Sequence, residues 1–126
     1  MATPTLDWLD FDYSEDPQGH GSFDAMASVT AAQLPALQRE LERVLAWAHR
    51  EFGGVRAPLD EGGDWDFELQ GLQEVPAPLD LRWDEGAGRI ELRPGLPGAP
   101  RLTLTLTLTG TPAFCDAFRR GFALDG

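Results

Sequence analysis

The residues best suited to chemistry in this chain are few: one cysteine, Cys115, and two histidines, His20 and His49. A Cys/His pair can work as an activated thiolate nucleophile, and a mixed Cys/His set can hold a metal, but only if the fold brings the groups together. Spacing gives neither idea support, because no H-E-x-x-H or H-x-H pattern occurs. Cys115 falls near the start of a predicted helix, where the dipole would lower a thiol pKa. It also neighbours Phe114 and Phe118, which points to a buried structural thiol. An enzyme or small-molecule binder built on this chain would need a pocket near Cys115, His20 and His49; that is the alternative reading.

The acidic turn at 60–66 offers carboxylates on a Gly-bent loop, the chemistry a hard cation seeks. The EF-hand template fails there. Counted from Asp64, the obligatory glycine position holds Leu69 and the bidentate glutamate position holds Val75. A solvated acidic loop is expected, with no metal site and no cofactor. There is no G-x-G-x-x-G and no G-x-S-x-G. All ten basic residues are Arg, so Schiff-base chemistry and a Walker lysine are both excluded. The lack of Lys and Asn, with Ile90 the single Ile, reads as the codon drift of a GC-rich, bacterial genome. A non-catalytic protein is the expectation.

Charge is the strongest signal. With 10 basic and 21 acidic residues the formal net charge is −11, which disfavours nucleic acid and anionic membrane as partners. Residues 1–29 and 57–80 contain no base, and the predicted helix lies between them. If the fold joins these segments they form one negative face, for which Asp10, Asp12, Asp60, Glu61, Asp64, Asp66 and Glu68 are the candidates. The leading functional expectation is therefore a small acidic interaction module that binds a basic protein surface. Residues 1–10 show no basic start and no apolar run, and the longest uncharged stretches reach fourteen residues. A cytoplasmic location is expected.

The elements that must position these groups are legible from period. Leu9, Phe11 and Tyr13 alternate with acids, as do Phe23, Ala25, Ala27 and Val29 with polar residues, and a Pro/Gly-rich turn joins the two runs. Thr30 and Gln33 form a capping-box signature ahead of a helix that becomes regular near Pro35. Its apolar stripe holds Leu34, Leu37, Leu41, Val44, Leu45, Ala48 and Phe52. Strands follow at 65–69, 79–83, 90–92 and 102–109, the middle two forming a hairpin, and Thr111-Pro112 opens a short helix. One domain over 1–126 is predicted, α+β, of order ββαβββα, with one long and one short helix packed on a largely antiparallel sheet.

Trp47 lies off the apolar stripe between Arg43 and Glu51. It is either half-covered by Arg43 or the chain terminus, or an anchor for a partner. Trp8, Trp65 and Trp83 each sit beside an Asp in an expected strand, as an aromatic–acidic face or as cross-strand packing. The strict Leu/Thr alternation at 102–109 would pair with a second subunit if that strand lay at an edge. A homodimer through it or through Trp47 is a further expectation.

Overall fold

The computed structural model of the chain describes residues 6–53, 56–58 and 61–124. The element order is β1 (Asp12–Glu15), β2 (Gly21–Thr30), α1 (Leu34–Glu51), β3 (Trp65–Glu74), β4 (Leu79–Asp84), β5 (Arg89–Pro94), β6 (Arg101–Gly110) and α2 (Pro112–Gly121). The α+β class, the antiparallel pairing and the long and short helices match the sequence expectation. Four strands separate the helices where the sequence order has three.

β1, β2, β6 and β3 form one antiparallel sheet in that order, and β4 pairs with β5 in a second. β6 is therefore an interior strand, hydrogen-bonded to β2 and β3 along its whole length. It offers no free edge to a second copy. Its leucines face the helices: Leu106 and Leu108 are fully buried, opposite Ala25 and Phe23. The threonines line the other face, against which no helix packs among the described residues.

Both helix starts follow local chemistry. Thr30 N–H donates to Gln33 Oε1 at 3.0 Å, and Gln33 N–H donates back to Thr30 Oγ1 at 3.4 Å. This reciprocal pair closes the separate turn at 30–33 ahead of the helix, whose own N-cap, Gln33, caps no helical N–H with its side chain. Thr111 Oγ1 accepts from Phe114 N–H at 3.4 Å at the head of α2. α2 can lie close to the sheet because Gly21 and Gly110 face each other across the strands. A Cβ on Gly21 would stand 2.5 Å from Cys115 Sγ, and one on Gly110 would overlap the Phe114 ring.

The segment ahead of β1 is not a strand, and Trp8 lies there, half-buried. It is docked on α1 by a residue the helical wheel leaves unremarked. Glu40 is only 2% exposed, and its carboxylate accepts from three successive backbone N–H groups, of Asp7, Trp8 and Leu9, at 2.7–3.2 Å. Such a run of convergent amides is an anion-binding nest, here filled by the protein's own side chain.

β3 and β6 continue into β4 and β5 as one long ribbon. Pro76, Pro78, Pro97 and Pro100 interrupt the ladder, since proline cannot donate to it. Gly95 N–H to Pro78 O (2.8 Å) and Gly98 N–H to Pro76 O (2.6 Å) hold the two chains together across the gap. No side chain between Phe67 and Leu102 belongs to the core. The β4–β5 hairpin is an arm that projects beyond the sheet.

Candidate functional site

The three residues with catalytic potential occupy three separate settings. Cys115 is fully buried beneath Gly21, and its thiol donates to Gly110 O at 3.5 Å. Burial pushes its pKa up, the reverse of what a nucleophilic thiol requires. His20 closes the β1–β2 turn against Asp16, with Nδ1 3.3 Å from the carboxylate. His49 donates from Nδ1 to Leu45 O at 2.8 Å and sets its ring edge-on to Trp65 and Phe67. No hydrogen bond or ring contact joins any two of the three, and no cluster of metal-ligating side chains occurs among the described residues.

The interface candidates fare differently. Trp47 is half-buried, and its ring meets Phe52, Phe114, Phe118 and Phe122 at centroid distances of 5.6–6.2 Å. It stitches α1 to α2, the covering by the C-terminal region that the sequence left as one option. Arg43 and Glu51 are exposed on α1, Glu51 beside Arg50 at 3.6 Å. Trp65 is wholly buried and donates to Phe52 O, whereas Trp83 stands on the arm, 58% exposed.

The acids give a different result: the two base-free segments converge. Alternation along β2 and β3 turns every second side chain to the helix-free face, and the register aligns them in rows. Asp12, Asp24, Thr107 and Glu68 form one row across all four strands. Ser14, Ser22, Thr109 and Asp66 form the next, and Thr30, Arg101 and Glu74 close the far end. A shallow hollow of about 310 Å³ lies among Asp66, Glu68, Thr107 and Thr109.

Carboxylates and hydroxyls dominate the end rows of this face, while Met26 and Leu72, 69% and 58% exposed, stand in the rows between. Thr107 donates to Asp24 at 2.7 Å, Arg56 meets Asp66 at 3.1 Å, and Arg101 is spent on Ser28. Asp12 and Asp24, directly opposed, are a like-charge pair of the kind that destabilises a hairpin. Of the sequence candidates, Asp12, Asp66 and Glu68 lie on this face. Asp10 and Glu61 are exposed outside the strands, Asp64 is half-buried at the head of β3, and Asp60 lies outside the described residues. Asp24 and Glu74 join the face through pairing with distant strands, which one strand's alternation does not show.

Beside Cys115, Tyr13 donates to Glu15 at 2.7 Å, and the Arg119 guanidinium lies over its ring at 4.4 Å. Burial first, then the hydrogen bond to Glu15, pushes this phenol from 10.0 up to about 12. The folded state thus holds the proton more tightly than the unfolded chain does. Its contribution to stability is complete below pH 10 and drains away as pH rises from 10 through 12. As this is the chain's single tyrosine, tyrosinate absorbance should report a midpoint near 12, and Glu15→Gln should move it back toward 10. A native midpoint at 10 would disprove the assignment.

Compared with family models, curated proteins and solved structures, the chain matches none. No helix is long and apolar enough to cross a membrane among the described residues. What can be said of function therefore rests on this surface and on the arm.

Proposed function

We propose that the chain is a non-catalytic interaction module whose helix-free sheet face docks a basic protein surface. The observation that supports this most directly is the opposed pair Asp12 and Asp24, in a row with Glu68. Like charges on directly opposed strand positions cost stability in the free protein. An arginine- or lysine-rich surface relieves that repulsion on binding, so the face gains more from a cationic partner than scattered acids would. The threonine row between the acids supplies hydroxyls for hydrogen bonds on a flat, β-structured platform.

The test uses an arginine-rich peptide of defined sequence, titrated calorimetrically at low and high ionic strength. The native protein should bind at low salt and lose roughly tenfold in affinity for each fully engaged charge removed. The Asp24→Asn/Glu68→Gln pair should abolish most of this. Glu42→Gln/Glu61→Gln removes the same charge from other surfaces and should leave binding nearly intact. Equal loss from the two pairs would mean that net charge alone attracts the peptide, and the reading would fail.

A further inference from the structure

The arm is amphipathic, and none of the described residues covers its apolar side. Register places Leu81 opposite Leu92 and Trp83 opposite Ile90, with Leu79 beside Pro94. These five large side chains, Leu79, Leu81, Trp83, Ile90 and Leu92, are each 56–64% exposed. The opposite side of the arm pairs Asp80 with Arg93, Arg82 with Glu91 and Asp84 with Arg89, three opposite-charge positions in succession. A two-stranded hairpin with one bare apolar face is marginal by itself in water. The charged side is complementary within itself, so what the arm lacks is a cover for its apolar face.

The same molecule carries a matching vacancy. On the flank of α1, Leu41, Leu45, Leu69 and Leu104 line a groove of about 490 Å³ with Gln38 and Glu42 at its rim. It sits beside β3, the last strand of the sheet, whose outer edge is bridged at its start, where Arg56 pairs with Trp65. The side of β3 that bears Leu69 faces the helices, yet α1 does not reach far enough across to bury it: Leu69 is 48% exposed.

We infer that two copies of this chain associate about a two-fold axis, the apolar face of each arm seated in the α1–β3 groove of the other. Two arguments select a second copy over an unrelated partner. The first is area. Five such side chains present on the order of 400 Å² of apolar surface, about half of what each partner gives to a stable interface. A two-fold pair uses arm and groove of both copies and so doubles the contact to roughly 800 Å² a side. The second is charge. A chain of net charge −11 repels its own copy over most of its surface, but residues 79–94 hold four acids and three arginines. The arm is the near-neutral part of the molecule, so seating it in the groove of the other copy sets little net charge against the single acid, Glu42, at the rim.

The mass in solution, by sedimentation equilibrium across a range of concentrations, should be twice the 13.8 kDa of the chain. The arm variant Leu81→Ser/Trp83→Ser should raise the dissociation constant at least about a hundredfold, because two central apolar anchors are lost. Leu69→Arg should do the same from the groove. Should that variant fail to fold, Gln38→Arg on the exposed rim takes its place. Mixed together, the arm variant and the groove variant should associate more tightly than either does with itself, since one intact arm meets one intact groove, but more weakly than the native pair, which has two such contacts. Salt should strengthen the native pair by screening the residual repulsion, whereas it weakens peptide binding at the acidic face. A monomeric native protein overturns the inference. So does a groove variant that dimerises as the native chain does, which would mean that arms pack on arms.

Discussion

Replacing Glu40 with alanine is expected to cost about 3–5 kcal/mol, within the range for breaking a buried charged network. For a chain of this size that loss lowers Tm by on the order of 10–20 °C. The figure follows from what the carboxylate holds. Three backbone donors, of Asp7, Trp8 and Leu9, converge on its two oxygens. Hydrogen bonds to a charged acceptor contribute about 1.5–3 kcal/mol each when counted singly. Losing the acceptor leaves amides that water reaches only in part, because Leu9 is buried. The damage should begin locally. Residues 6–11 have no strand partner until Asp12 pairs with Asp24, so amide exchange at Trp8 and Leu9 should accelerate before the sheet does.

Glu40→Gln separates charge from shape. One amide oxygen can still accept from Trp8 and Leu9, as Oε1 does at 2.9 and 2.7 Å. The amide nitrogen would then meet the N–H of Asp7, donor against donor. An intermediate loss, about half that of alanine, is expected. If Glu40→Gln proves as stable as the native protein, the charge is irrelevant to the clamp. If Glu40→Ala lowers Tm by only a degree or two, the segment is held by packing instead.

Legibility in this sequence tracked how local each signal is. The capping box at Thr30 and Gln33, the N-cap at Thr111 and the Leu/Thr ladder of β6 are decided by residues within a few positions of one another, and each formed as read. Glu40 shows the limit. In an amphipathic helix a glutamate reads as solvent-facing, and the groups that draw it inward lie more than thirty positions away. Trp47 shows it again, because what covers that ring is α2, placed by long-range packing. On the arm, the alternation at 79–83 and 90–92 reveals an apolar face by its period. Period says nothing of whether another element covers that face, and here none of the described residues does. The acidic face was legible in its composition and not in its assembly. That Asp12 faces Asp24 follows from the first hairpin, but Glu68 reaches their row only because β6 lies between β2 and β3.

Phe118→Ala should be the most damaging single change in the core, at about 4–5 kcal/mol, the upper part of the range for a buried Phe. Its ring is fully buried and touches five others: Phe23 at 4.7 Å, Phe122 at 5.1 Å, Phe11 at 5.2 Å, Trp47 at 5.7 Å and Phe114 at 6.2 Å. Those rings come from four places: the N-terminal segment, β2, α1 and α2. Neighbours tied to separate elements cannot all collapse into the space, so most of the cavity should persist. Phe118→Leu keeps much of the apolar volume and loses the edge-to-face geometry, for which a cost of about 1–2 kcal/mol is expected. Urea midpoints with unchanged slopes would measure both. Near-equal losses for the two variants would mean that ring packing, not cavity volume, sets the cost. Phe11 is the link to Glu40: the clamp at Asp7, Trp8 and Leu9 delivers it to the Phe118 ring. Once either residue is removed, the other has less to hold. The Glu40→Ala/Phe118→Ala double variant should therefore lose less than the sum of the single losses, by at least about 0.5 kcal/mol. Strict additivity would show that the N-terminal segment and the aromatic cluster fold as independent parts.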